Sequence, residues 1–149
     1  MQGYLAAHEA QLERLGRFFV ERNGLTIFWQ DAVHLRIEGR LSCTGGIFLD
    51  VRKVLESNER NQVRAILYKY HAGIEGPQHR PIFRYDNSHT YLREGHPDPF
   101  HKHRFDPDTW QEITPPLWIG YHEWPTLADV LEELHAWWLA MRDSLDLPT

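Results

Sequence analysis

Cysteine is nearly missing from this chain. Cys43 is the one thiol in 149 residues, which rules out an internal disulfide and points to a reducing compartment. Long apolar runs are missing as well, and nothing approaches the ~18 residues that a membrane helix needs. The opening stretch is interrupted by His8, Glu9, Gln11, Glu13 and Arg14, so neither a leader nor a span is expected, and the cytoplasm is the expected location. There is no Gly-rich phosphate loop, no G-x-S-x-G elbow, no dinucleotide fingerprint, and no H-E-x-x-H or paired C-x-x-C. An excess of positive charge is also lacking. The net charge is -5 and the pI about 6.0, which argues against a bulk nucleic-acid binder.

What is present suits one water-soluble domain, 1–149, with 42% apolar residues for a core and 25% charged residues for a surface. The charge is uneven. From residue 121 onward Glu123, Asp129, Glu132, Glu133, Asp143 and Asp146 face Arg142 alone, so this stretch holds the whole net charge. The segment 80–104 is the opposite, rich in Arg and His. A local basic patch able to grip a few phosphates is therefore compatible with the acidic total. Cys43 sits between an apparent strand end and the turn Thr44-Gly45-Gly46, the setting of an ordinary structural thiol.

Periodicity gives an α+β layout. Leu5, His8, Leu12, Leu15 and Phe19 recur at helical spacing and predict an N-terminal amphipathic helix over 3–20, stopped by Asn23-Gly24. Val33, Leu35 and Ile37 alternate with His34, Arg36 and Glu38, the signature of a half-buried strand. Further strands are expected at 47–51, 63–71 and 81–86, joined by short polar turns, which favours an antiparallel meander of four to five strands. Prolines 97, 99, 107, 115 and 116 then predict a long His/Pro-rich loop over 87–124, with a short strand around 100–105 hidden in it. Thr126 and Asp129 form a capping-box pattern before Leu127, Val130, Leu131, Leu134, Trp137, Trp138 and Met141, a C-terminal amphipathic helix. Core packing is the expectation for Trp137 and Trp138, whereas Trp110, Trp118 and Trp124 are also candidates for a base-stacking platform.

The chemistry concentrates in Phe83-Arg84-Tyr85-Asp86-Asn87-Ser88-His89 and in Phe100-His101-Lys102-His103-Arg104. If both pieces are extended, Arg84 and Asp86 share one face, and His101 and His103 project together while Lys102 points away. Imidazoles titrate near working pH and suit general acid–base catalysis. Two of them beside cations suit attack of a ribose 2′-hydroxyl on its neighbouring phosphate. The candidate catalytic groups are thus His101, His103, Asp86 and His89, with Arg84, Lys102 and Arg104 holding phosphate and Tyr85 and Asn87 contacting the nucleotide. The competing chemistry is a metal site built from His101 and His103 with Asp86, Asp98 or Asp106.

The run Ile82-Phe83-Arg84-Tyr85-Asp86-Asn87, a following His96-Pro97, Phe100-His101-Lys102-His103 and the later Pro125-Thr126-Leu127 resemble the TumE toxin family. The similarity spans roughly residues 33–140, and its specific part is 82–103. The resemblance implies a growth-inhibiting protein with an antitoxin partner. Its helix-then-sheet layout is similar to that of RelE/barnase-like ribonuclease toxins, from which the acidic balance departs. The leading expectation is a metal-independent ribonuclease that needs no cofactor and takes RNA as substrate. The alternatives are a metal-dependent phosphodiesterase or nucleotide-processing enzyme using the same histidines with Asp86, and a non-catalytic interaction module whose Trp-rich C-terminal third binds a partner protein. The acidic C-terminal helix, with its apolar face, is a candidate docking surface for a partner or a second copy of the chain.

Overall fold

Burial alternates residue by residue along the strands, and this alternation organises the molecule. A computed structural model describes residues 1–87 and 98–145. Helix α1 (Gln2–Gly16) leads into β1 (Val20–Trp29), β2 (His34–Cys43), β3 (Ile47–Ser57), β4 (Val63–Ile74), β5 (Arg80–Asp86), β6 (His101–Phe105) and β7 (Glu112–Trp118), and α2 (Leu127–Met141) closes the order. Each strand pairs antiparallel with the next, giving one sheet in the order β1-β2-β3-β4-β5-β6-β7.

The α+β class, the meander and the two flanking helices agree with the sequence, but the strand count is seven rather than four to five. Both extra strands contain residues that read locally as breakers. Asn23-Gly24 does not stop a helix; α1 already ends at Gly16, and β1 runs through both residues. Gly24 faces Arg40 and Leu25 faces Gly39 across the β1–β2 ladder. A methyl group on Gly39, whose φ is +141°, would lie 2.2 Å from the Gly24 carbonyl oxygen. The glycine pair therefore marks a close crossing of two backbones. At the other edge, β7 holds Pro115 and Pro116, which are tolerated because an outermost strand has one side with no ladder to complete. The supposed loop over 87–124 thus contains both β6 and β7.

The helices cover one face of the sheet. Leu12 and Leu15 of α1 and Leu127, Val130, Leu131, Leu134 and Trp138 of α2 form a single buried cluster with Leu41, Leu49, Val51, Tyr70, Ala72, Phe83 and Tyr85. The large apolar face of α2 is consequently inside its own core and is not a free docking surface. The α2 capping box forms as its sequence suggests: Asp129 N–H donates to Thr126 Oγ1 at 3.2 Å, and Thr126 N–H donates to Asp129 Oδ2 at 2.9 Å. Among the described residues, no helix is long and apolar enough to cross a membrane. Among the described residues no helix covers the opposite face of the sheet, and polar side chains such as Arg40, Asp50, Arg52, Lys69 and Arg84 line it.

Candidate functional site

Strand register sets the site. In one cross-strand row Asp50 of β3 faces His71 of β4, His71 faces Arg84 of β5, and Arg84 faces His103 of β6. In the next row Arg52 faces Lys69, Lys69 faces Asp86, and Asp86 faces His101. Directly paired residues project to the same side of a sheet. Arg84, Asp86, His101 and His103 therefore gather on the helix-free face, as strand alternation suggests, and Arg52, Lys69 and His71 continue the cluster toward the sheet centre.

The two imidazoles of β6 form a chain. His101 Nδ1 lies 2.6 Å from the Pro99 carbonyl oxygen, an acceptor, so this nitrogen carries a proton. His101 Nε2 then accepts from His103 Nε2 at 3.0 Å. On its far side His103 Nδ1 contacts Glu112 Oε1 of β7. The His103 ring is thus held between the His101 ring on one side and the Glu112 carboxylate on the other. His101 is sealed from solvent, at 0% exposure, and His103 keeps 8%. His101 was expected to exchange protons with a substrate; with no exposed surface, its contacts suit orienting His103.

Strand alternation takes other expected groups away. Tyr85 and Lys102 face each other on the helix side, where Tyr85 Oη donates to Glu133 Oε2 at 2.6 Å and Lys102 Nζ pairs with Glu133 Oε1. Both tie β5 and β6 to α2, so neither is placed to contact a nucleotide on the other face. Burial first, then the Glu133 contact, pushes the Tyr85 phenol well above its ordinary range. Arg104 pairs with Phe83 and follows the same side. Asn87 acts on backbone: its Oδ1 accepts from Tyr68 N–H at 2.8 Å and its Nδ2 donates to the Ile66 carbonyl at 3.4 Å. His89 lies outside the described residues.

The metal alternative loses two of its carboxylates to local turns. Asp98 Oδ1 accepts from Phe100 N–H at 3.1 Å, and Asp106 Oδ1 accepts from Asp108 N–H at 2.8 Å and Thr109 N–H at 3.0 Å. Among the described residues, no three His, Cys, Asp or Glu side chains converge as metal ligands. Cys43 is buried, and desolvation, followed by Glu21 and Glu75, pushes its thiol up to about 12. It is no nucleophile.

Sequence reasoning missed His71, Arg52, Lys69 and Glu112. The first three stand 13 to 32 residues from the nearest group singled out on β5, and only the β3–β4–β5 register unites them. Glu112 was hidden in the stretch read as a loop. A recess of about 410 Å³ opens among Asp50, Arg52, Lys69, His71 and Arg84. Arg84 Nε is buried there with no hydrogen-bond partner among the described residues, and it lies 3.7 Å from Asp86 Oδ2. Such an atom is suited to an incoming anion. Burial lowers the His71 pKa, opposed by Asp50 and reinforced by Arg84, His79 and Lys69. His71 is therefore held neutral and able to accept a proton near neutrality.

No curated protein and no solved structure matches the chain. The family model described as "Toxin TumE" matches residues 9–140, a longer span than the motifs alone indicate. With most of its length, from α1 through α2, inside that match, the chain belongs to the TumE toxin family.

Proposed function

We propose that the chain is the toxin of a toxin–antitoxin pair and cleaves RNA on the helix-free face of its sheet without a metal. The observation that carries this reading is the row His71–Arg84–His103, in which a guanidinium stands between two imidazoles on adjacent strands. Two strand spacings separate the histidines, about 10 Å between backbones, enough to straddle one phosphate. His71, kept neutral, takes the proton from a ribose 2′-hydroxyl. The 2′-oxygen bonds to phosphorus, the bond to the 5′-oxygen breaks, and His103 returns a proton to that leaving oxygen. Arg84 and Lys69 hold the charge that develops on phosphorus. His101 and Glu112 fix the His103 ring. The products are a 2′,3′-cyclic phosphate and a 5′-hydroxyl end. A toxin family implies an antitoxin partner, whose binding would silence this face or cover it.

Induced expression should arrest growth and degrade RNA, and purified protein should keep its activity after exhaustive chelation. His71→Ala and His103→Ala should each abolish both effects. Arrest by both variants at the parent's level would end this assignment.

A further inference from the structure

A second recess adjoins the first and shares only His71 with the roles above. It has a volume of about 390 Å³ and is lined by Arg40, Phe48, His71, Glu75, His79 and Arg80 among others, where the β4–β5 turn meets the helix-free face. Its planar groups are aligned in series. The Arg40 guanidinium lies 3.9 Å above the Phe48 ring, Phe48 stacks with His71 at 5.9 Å and 20°, and His71 stacks with His79 at 6.4 Å and 21°. The last gap is at the wide end of the range for paired rings. Twice the ~3.4 Å rise of stacked bases is about 6.8 Å, close to this centroid separation, so a shift of one ring that sets the two face to face would admit one flat heterocycle between them.

His79 is exposed and lies in the segment joining β4 to β5, so it is the ring able to move. The other members are fixed. Phe48 is packed so closely on Gly73 that a methyl group there would meet its ring at 2.6 Å. Arg40 is held by Asp50 through two hydrogen bonds of 2.7 and 2.9 Å. Arg80 donates to the Glu75 carbonyl at 3.1 Å and stands at the mouth as a cation for a further phosphate.

We propose that this recess is a nucleobase subsite that seats one unpaired base of single-stranded RNA between His71 and His79, beside the phosphate held at Arg84. The proposal rests on the ribonuclease reading for its substrate class. It goes beyond that reading in requiring an unpaired base, because a base within a duplex must first be unpaired and unstacked before it can enter a slot between two rings.

The test uses fluorescein-labelled, single-stranded 2′-O-methyl RNA, which lacks the attacking hydroxyl, so that binding is measured without turnover. Fluorescence anisotropy is read at pH 8, where free imidazoles are neutral. His79→Ala should weaken binding about tenfold, the loss of one stacked base, and His79→Phe should restore it. A duplex of the same sequence and a free nucleoside monophosphate should both bind more weakly than the single strand. Unchanged affinity in His79→Ala, preference for the duplex, or no binding by the parent overturns the subsite. If binding depends on His79 but unmodified RNA is never cut, the catalytic reading falls and the subsite stands.

Discussion

A histidine's value on this sheet depends on which neighbours bury it. His71 and His103 occupy one row, yet their surroundings differ: burial, reinforced chiefly by Arg84, lowers the His71 pKa and favours its neutral form, whereas His103 Nδ1 contacts the Glu112 carboxylate. The acid limb of the pH–rate profile should therefore lie below the ordinary imidazole value of about 6.5, because the base loses activity only once His71 is protonated. A limb at or above that value would remove His71 as the base. His103→Ala should lower the rate about a hundredfold or more. Lys102→Met should leave the turnover rate unchanged and instead lower stability by about 1–2 kcal/mol, read by chemical denaturation, because it strands Glu133 beneath the sheet.

Beneath α1 a different polar group has no substrate to meet. Lys53 is buried on the helix side, its Nζ donating to Tyr4 Oη at 2.5 Å and lying 5.0 Å from the centre of the Tyr68 ring. Burial pulls its pKa down to about 8, and burial together with Lys53 pulls His8 down to about 4. Between about 4 and 6.5 the unfolded chain binds a proton at His8 that the folded chain refuses. Stability therefore falls as pH drops through that window, by on the order of 2 kcal/mol after allowance for solvent screening. The same sign holds for Lys53, whose contribution grows as pH rises from about 8 toward its unfolded value. Denaturation midpoints measured against pH should show both slopes. His8→Leu should flatten only the acid one; a slope that persists in this variant would show that other groups cause it.

At the scale of elements, local signals were reliable where a helix began and unreliable where a strand crossed. The capping box of α2 needed only Thr126 and Asp129, three residues apart, so it was legible in the sequence. Thr126→Ala should cost about 1 kcal/mol, visible as a lowered melting temperature. The β1–β2 crossing was illegible because Gly24 and Gly39 matter only to each other. Gly39→Ala should destabilise by at least about 2 kcal/mol, since it combines a left-handed φ with a backbone clash. Stability equal to the parent would mean that the crossing relaxes easily. The prolines of β7 likewise broke a pattern that they do not break in three dimensions, because position at the sheet edge removes the need for their missing N–H groups.

Over the whole molecule, charge is divided between layers. Acidic residues collect on α2 and after it, while Arg36, Arg40, Arg52, Lys69 and Arg84 outnumber Glu38, Asp50 and Asp86 on the helix-free face, taking these central positions alone. This division gives an acidic chain a locally cationic surface, as the proposed RNA substrate requires. With Arg52, Lys69 and Arg84 as the phosphate contacts, the logarithm of single-strand affinity should fall against the logarithm of salt with a slope of roughly -2. A slope near zero in a salt titration would show that phosphate contacts are not formed there.

By itself the sequence determined the class of the fold, the family motifs, and the sidedness of Arg84, Asp86, His101 and His103. Each of these follows from spacing within one element, where the pleat or the helical turn fixes direction. Only the tertiary structure decided that His71, Lys69 and Glu112 join that group, that Lys102 and Tyr85 leave it for Glu133, and that His101 is sealed. Those outcomes depend on register between strands distant in sequence and on which face the helices cover, and no local pattern encodes either one.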